Sequence, residues 1–325
     1  MNEARSAGTP WIVDASMLRR CDDDDELRIE LAPLAVHAVT FTVAGVPVEV
    51  RFNVAAAADI YRRRYRHMLA SHAPVMTAYA VARDPNDVYF WAGEGPLHCW
   101  DQGKIHDHVI AFFADAVATT LFFNSIDDLI ALHAAALTDG HSAAFIAGVS
   151  TAGKSTTAIA CFRRGLELYS DEFCLVRAGG VLPHPRAISV RREGLELLLA
   201  SAAPASPVDA WLRANRGEDR ENVGFDELFG NATWPAPRPL RIAFAAIARE
   251  RTPSVRPIAP AKMLAHTMPS ARMKTRGLDG VAALLAILQP VACYELTLGP
   301  PDATAELIAQ MLTTNARGPE GPKAS

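Results

Sequence analysis

The sequence predicts an α/β fold whose main domain contains a mixed, partly antiparallel sheet and follows a small β-rich N-terminal domain. Residues 38–52 are rich in β-branched side chains on both sides of Ala44-Gly45, which predicts two strands, and residues 88–100 predict another strand pair. Residues 105–123 carry apolar side chains at helical spacing, which predicts a helix that leads into the main domain. We therefore expect a domain boundary near residue 100.

The centre of the chain predicts the order strand, loop, helix, strand and acidic pair. Two apolar strands, 132–138 and 142–147, are separated by an Asp-Gly turn, which favours a hairpin because it tolerates positive φ. A helix is predicted over 155–164, where Gly165 ends it, and a short strand over 166–169 leads to the acidic pair. This order places a loop and carboxylates at strand ends, where ligands are commonly bound.

Length and composition limit the possible domain organisation. A chain of 325 residues of which 50% are hydrophobic can bury one large core or two modest ones. We expect an N-terminal domain over 1–100 and a main domain over 101–314. The glycine- and proline-containing end of the chain predicts a disordered tail over 315–325.

Charge and cysteine usage disfavour several classes of protein. A net charge of -4 provides no basic field for nucleic acid. The five cysteines are scattered, which indicates neither a disulfide framework nor a zinc site and favours the reducing cytoplasm. The N-terminus has no apolar signal region, and no run is expected to approach the length of a membrane span. Nucleic-acid binding, export and membrane insertion are therefore not expected.

Residues 148–156, GVSTAGKST, match the P-loop pattern G-x-x-x-x-G-K-[ST]. In this pattern, glycines let backbone N–H groups face one centre, the lysine reaches the β and γ phosphates, and the serine hydroxyl binds Mg²⁺. A predicted strand before the loop and a predicted helix after it fit the pattern. The expected nucleotide-binding residues are Gly148, Ser150, Thr151, Ala152, Gly153, Lys154, Ser155 and Thr156.

Asp171 and Glu172 follow the loop closely and stand at the end of a predicted strand. Two roles are open to Asp171, because a carboxylate beside phosphates can hold Mg²⁺ or accept the proton of an attacking hydroxyl. With Ser155, the acidic pair forms the expected metal site. An exposed acidic turn is the alternative interpretation of this pair.

The stretch from His133 to Val176 resembles the catalytic region of the HPr kinase/phosphorylase family and its shorter relatives. The resemblance rests on a histidine before the loop, on GVSTAGKST, on the helix end RRG and on the following acidic pair. It implies the P-loop fold that this family shares with phosphoenolpyruvate carboxykinases. It also implies that Lys154 acts on phosphate and that Asp171 and His133 are catalytic, although a histidine in ALHAAAL could also be a core residue.

The chain departs from the family at three places. Thr151 stands where the family commonly has glycine, and Glu172 replaces the second of two aspartates. Residues 181–195 occupy the place of the glutamate-arginine-glycine motif that bacterial HPr kinases use for metal and phosphate. These differences favour diverged relatives, some of which resemble kinases of ribosomal-peptide tailoring, over an enzyme that acts on HPr or catalyses phosphorolysis.

Arg186 is a further candidate in that divergent segment. It follows Pro185, and an arginine on a proline-stiffened turn can clamp a transferring phosphoryl group through bidentate geometry. A solvated face that it shares with Arg191 and Arg192 is the alternative.

The expected function is that of an ATP- and Mg²⁺-dependent kinase that transfers the γ-phosphate to a hydroxyl. The resemblance implies serine of a peptide or protein as the acceptor and allows a homo-oligomer, since the family includes hexamers. The alternatives are a kinase of a small-molecule hydroxyl (a free amino acid, sugar or alcohol) and a nucleotide-binding regulatory protein without transfer activity. Chemistry on phosphoenolpyruvate has only shared architecture in its favour, and GTP stays open as the donor.

Overall fold

The computed structural model describes residues 17–21, 25–149, 153–200, 207–215, 220–230, 234–275 and 277–316. It is a mixed α/β protein with mixed sheets. Contacts divide the chain into two compact units. The first consists of Met1–Phe41, Pro47–Arg62 and Ser71–Phe122, and the second of Thr42–Val46, Arg63–Ala70 and Phe123–Ser325.

The first unit is organised on a six-stranded sheet in the order β1-β6-β5-β4-β3-β2. β3 and β4 are parallel, whereas the pairs β4 with β5, β5 with β6 and β1 with β6 are antiparallel. The strands are β1 Arg19–Arg20, β2 His37–Val43, β3 Val46–Phe52, β4 Met76–Asp84, β5 Asp87–Ala92 and β6 His98–Trp100. The helices that begin in this part of the chain are α1 Asp25–Leu31, α2 Ala55–Arg64 and α3 Asp107–Ser125.

The strand predictions for this region are confirmed. β2 and β3 are joined by Ala44 and Gly45, whose φ angles of 50° and 84° are those of a tight hairpin turn. The second predicted strand pair is β5 and β6. Sequence patterning missed β4, which pairs with both neighbours at the centre of this sheet.

The predicted helix over 105–123 is α3, most of which belongs to the first unit. Its Phe113 packs against Phe90 and Trp100, and its Phe122 packs against Phe41. By length and composition this helix could cross a membrane, contrary to the expectation that no run approaches that length. Within the structure, 50% of its most apolar stretch of 18 residues is buried.

The second unit contains a nine-stranded sheet in the order β11-β10-β7-β8-β14-β17-β15, in which β9 and β16 also pair with β7. β14 lies between β8 and β17 and is parallel to both, and β7 is antiparallel to β8. This confirms the mixed, partly antiparallel sheet. The strands are β7 Leu129–Thr138, β8 Ala143–Ala147, β9 Glu167–Ser170, β10 Phe173–Arg177, β11 Gly180–Leu182, β14 Arg238–Arg249, β15 Ser254–Pro257, β16 Arg272–Met273 and β17 Ala292–Leu298.

Helices and a small second sheet complete this unit. The helices are α4 Lys154–Arg163, α5 Arg192–Leu199, α6 Pro207–Ala214, α7 Phe225–Phe229, α8 Pro260–Thr267, α9 Gly277–Leu288 and α10 Pro301–Ala316. The small sheet pairs β12 Ile188–Val190 with β13 Arg220–Val223. α10 extends two residues into the predicted tail, whose residues 317–325 lie outside the described part of the chain.

The large sheet is covered on both faces, and β7 shows how. Its Ala135 and Leu137 belong to one buried cluster, with side chains of α4, α5 and α10, while Leu132 and Ala136 belong to another, with side chains of α8 and α9. A strand buried on both faces needs apolar residues at consecutive positions rather than alternating ones. This explains the unbroken apolar run of β8 and the apolar run of β7 on both sides of His133.

Candidate functional site

The candidate site begins where β8 ends. β8 is buried throughout and lies between β7, which is antiparallel to it, and β14, which is parallel to it. The chain leaves this strand at Gly148 and enters α4 at Lys154. Gly153 precedes the helix with a left-handed φ of 99°, a conformation that glycine adopts without strain. The predicted loop residues Ser150, Thr151 and Ala152 lie outside the described residues.

Lys154 is folded back onto the loop. Its Nζ donates hydrogen bonds to the carbonyl oxygens of Gly148 at 2.9 Å and Val149 at 3.2 Å. The residue is only 8% exposed, and burial lowers the pKa of its ammonium, against the opposing effect of Glu172 and Asp171. The lysine is thus held over the loop by neutral acceptors, which are weaker partners than an anion.

Ser155 and Asp171 are brought together as their sequence positions suggested. The Ser155 hydroxyl donates a 2.7 Å hydrogen bond to Oδ2 of Asp171. Asp171 is 4% exposed, and its burial, followed by the nearby charge of Glu172, raises its pKa to about 6. Such a carboxyl group is a stronger base than an ordinary aspartate while still ionised at neutral pH.

A break between β9 and β10 positions the acidic pair. Both strands run antiparallel to β7, and the chain bends at Asp171 and Glu172 between them. The Ser170 hydroxyl oxygen accepts hydrogen bonds from the backbone N–H groups of Glu172, at 3.2 Å, and Phe173, at 3.1 Å. The Glu172 carbonyl accepts another from the backbone of Ala134 at 3.0 Å. The carboxylates are therefore displayed by a bend that hydrogen bonds hold in place, so the exposed acidic turn is not what forms.

His133 reaches the same place from β7. It is paired in register with Phe173 of β10, and its Nε2 lies 3.9 Å from Oε1 of Glu172. Burial lowers its pKa, partly opposed by Glu172. His133 is half-buried and lines the cavity, which argues against a core histidine packed among apolar side chains.

Arg186 contacts the acidic pair without lining the cavity. It is 9% exposed, its Nη2 lies 3.4 Å from Oε2 of Glu172, and its guanidinium carbon lies 5.8 Å from the centre of the Phe173 ring. It does not line the cavity that holds the other candidates. The alternative of a solvated face is wrong, because the side chain is buried against Glu172 and Phe173, and the role of Arg186 as a phosphoryl clamp stays a prediction.

A cavity of about 460 Å³ joins the loop, the acidic pair and His133. It is lined by His133, Gly153, Lys154, Ser155, Thr156, Asp171, Glu172, Ser189, Val190, Arg191, Glu193, Gly194, Leu197 and Arg249. Sequence reasoning missed the wall formed by β12 and α5, and it missed Arg249. The sequence shows that Arg249 ends an apolar strand, but not that this strand pairs in parallel with β8, which brings Arg249 to the same edge of the sheet.

The donor atoms at the site suit a hard cation. A serine hydroxyl and a carboxylate, Ser155 and Asp171, are the oxygen ligands that Mg²⁺ accepts beside phosphate and water. Glu172 is directed toward His133 and Arg186 instead. Across the described residues, no group of three or more histidine, cysteine, aspartate or glutamate side chains could hold a metal ion by itself.

Comparison with known proteins adds no assignment. No family model matches the chain, and no curated protein matches it at a significant level.

Proposed function

We propose that this protein is an ATP- and Mg²⁺-dependent phosphotransferase with a P-loop fold of the HPr kinase and phosphoenolpyruvate carboxykinase type, acting on a hydroxyl group. One observation carries the proposal: the Ser155 hydroxyl and the buried Asp171 carboxylate are hydrogen-bonded in the cavity that Lys154 also lines. A hydroxyl that can bind Mg²⁺, a lysine that can bind phosphate and a basic carboxylate in one cavity are the groups that phosphoryl transfer requires.

The donor phosphates are assigned to the loop side of the cavity. Backbone N–H groups at the start of α4 and the positive end of this helix attract anions. Lys154 would exchange the carbonyls of Gly148 and Val149 for phosphate oxygens, because charge-assisted hydrogen bonds are stronger. Ser155 and Asp171 would hold Mg²⁺, which neutralises charge on the phosphate oxygens.

Asp171 has a second role in the proposal, that of general base. A hydroxyl of the acceptor gives its proton to the Asp171 carboxylate as its oxygen forms a bond to the γ-phosphorus, and the bond from that phosphorus to the ADP oxygen breaks. The raised pKa of about 6 makes this carboxylate a better proton acceptor. The products are the phosphorylated acceptor and ADP.

His133 and Arg186 act through Glu172 in this account. His133 lies on one side of the Glu172 carboxylate at 3.9 Å and Arg186 on the other at 3.4 Å. Arg186 is therefore reassigned from phosphate binding to holding the acidic pair in place. The Glu172 charge in turn contributes to the raised pKa of Asp171.

The hydroxyl acceptor has two candidate classes. Resemblance of residues 133–176 to HPr kinases favours serine of a peptide or protein. The small-molecule hydroxyl remains the second candidate, supported by the cavity of about 460 Å³, a size typical of small-molecule sites. A regulatory nucleotide-binding protein is the third candidate, which would use Asp171 for Mg²⁺ alone and would have no need of its raised pKa.

The test is a transfer experiment in cell extract. Purified protein, Mg²⁺ and ATP labelled at the γ-phosphate are incubated with extract, and Asp171→Asn runs in parallel. We expect label in one class of molecule with the unmutated protein alone, and electrophoresis or thin-layer chromatography then separates protein, peptide and metabolite acceptors. If both proteins bind ATP and neither transfers label, the kinase proposal is wrong and the regulatory alternative replaces it.

A further inference from the structure

Arg249 is placed at the loop by the strand that precedes it. It is the last residue of β14, which is hydrogen-bonded in parallel to β8, the strand that feeds the loop. Its guanidinium lies against Gly153, so closely that a Cβ at this position would overlap it. Arg249 also lines the cavity with Lys154, Ser155 and Asp171. A cation thus lies directly beside the glycine that begins the helix.

This arginine differs from the other basic residues around the acidic pair. Lys154 donates to two carbonyls, and Arg186 and His133 flank Glu172. Among the residues that the structure describes, by contrast, no carboxylate or hydrogen-bond acceptor is paired with the Arg249 side chain. An arginine side chain with no anionic partner in a cavity is available for an anionic ligand.

We propose that Arg249 binds the phosphate chain of the donor nucleotide and so takes the part that the sequence suggested for Arg186. The inference rests on the proposed function. Position assigns Arg249 to the donor, because its guanidinium lies against Gly153, the residue before the helix at which the donor phosphates are assigned. A planar guanidinium can donate two parallel hydrogen bonds to one phosphate, which an ammonium cannot do.

The chain offers matched variants for a test. Arg249→Gln removes the charge, Arg249→Lys keeps the charge without the fork, and Arg241→Gln removes an exposed arginine of β14 that does not line the cavity. Because Arg249 and Arg241 are both exposed, we expect all three variants to melt like the unmutated protein. The probes are MgATP, inorganic tripolyphosphate with Mg²⁺, and adenosine, each titrated by calorimetry.

We expect Arg249→Gln to weaken MgATP and tripolyphosphate binding by about tenfold to a hundredfold, the size of a charge-assisted hydrogen bond. The affinity of Arg249→Lys for these phosphates should lie between those of Arg249→Gln and the unmutated protein. Arg241→Gln should bind them as the unmutated protein does. Adenosine binding should not change. Unchanged phosphate affinity in Arg249→Gln, or an equal loss for adenosine, would overturn the inference while the proposed function stands. If the unmutated protein binds neither MgATP nor tripolyphosphate, both are wrong.

Discussion

The hydroxyl of Ser155 donates a 2.7 Å hydrogen bond to Oδ2 of Asp171, a carboxylate that is 4% exposed. This contact joins the first turn of α4 to the bend between β9 and β10. It has an energetic consequence, since a buried carboxylate with a negative neighbour is costly to ionise, and one hydroxyl offsets that cost only in part. The unfavourable free energy of ionisation appears as the raised pKa of Asp171.

We expect Asp171→Asn to be more stable than the unmutated protein at pH 8. A pKa raised from 3.8 to about 6 means that ionisation of Asp171 costs the folded state about 3 kcal/mol. The folded state binds the Asp171 proton more tightly than the unfolded state does. Protonation of Asp171 therefore contributes its full amount to the free energy of unfolding below pH 4, and this contribution is lost as the pH rises through about 6. Asparagine has no such loss and can still accept the Ser155 hydrogen bond.

Urea denaturation at a series of pH values measures this difference. The stability advantage of Asp171→Asn over the unmutated protein should grow between pH 4 and pH 6 and then stay constant. Glu193→Gln, which removes an exposed carboxylate from the same cavity, is the control and should show no such growth. An advantage that does not vary with pH would refute a raised pKa for Asp171.

Transfer activity should have an acidic limb set by the same group. A general base acts in its ionised form, so the rate should fall as pH decreases through about 6, the pKa of Asp171 in the free protein. We expect kcat/KM for MgATP, which reports the protein before the nucleotide binds, to fall tenfold per pH unit below this point. The profile is measured with MgATP well below its KM, and a rate that stays level down to pH 4.5 would remove Asp171 from the role of base.

Gly153 and Gly165, two glycines with left-handed φ at the ends of α4, should contribute alike to stability but differently to nucleotide affinity. Gly153 precedes α4 with φ 99° and Gly165 follows it with φ 88°, but only at Gly153 would a Cβ meet another side chain, the tip of Arg249. Each change to alanine should cost about 1–2 kcal/mol for the backbone conformation. Because the Arg249 tip is flexible, Gly153→Ala should displace it rather than disrupt the core.

The readouts are urea denaturation and MgATP titration of both variants. Their losses of stability should be similar, whereas only Gly153→Ala should lose nucleotide affinity, by about tenfold or more. Equal affinity in the two variants would show that neither the loop conformation at Gly153 nor the place of Arg249 matters for binding.

Adjacent arginines at the end of α4 should differ sharply in their contribution to stability. Arg163 is buried, lies 2.8 Å from Asp209 and 3.6 Å from Asp302, and donates to the carbonyl of Leu198 at 2.9 Å. Arg164 makes one partly exposed pair with Glu306 at 3.6 Å. Arg163→Met leaves two buried carboxylates without their cation, which should cost about 3–5 kcal/mol.

Arg164→Gln should cost less than about 1 kcal/mol, as exposed ion pairs do. Thermal unfolding of the two variants at pH 7 measures both effects. A loss in Arg163→Met no larger than in Arg164→Gln would mean that the buried ion pairs do not hold α4 to α6 and α10.

Local patterns predicted the parts of the fold and site that depend on nearby residues. The Asp-Gly turn, β8, the start of α4 and the place of Asp171 follow from spacing and turn chemistry within a short stretch. The contact between Ser155 and Asp171 was accessible for the same reason, since one strand and one helix separate the two residues.

Contacts set by long-range strand order could not be predicted in this way. Arg249 reaches Gly153 because β14 pairs with β8, and sequence patterning does not reveal which strands become neighbours. The surroundings of Arg186 also depend on long-range contacts. A proline-stiffened turn does not reveal that the side chain is buried against Glu172 and Phe173.

Equilibrium titration of the protein with ATP, in the presence and absence of Mg²⁺, tests most directly whether this cavity is a nucleotide phosphate site. We expect saturable binding that Mg²⁺ strengthens, and a loss of at least about a hundredfold, or ~2.7 kcal/mol, in Lys154→Ala. Ser155→Ala should remove most of the Mg²⁺ dependence. Absence of saturable binding at millimolar MgATP, or equal binding by Lys154→Ala, would contradict the account.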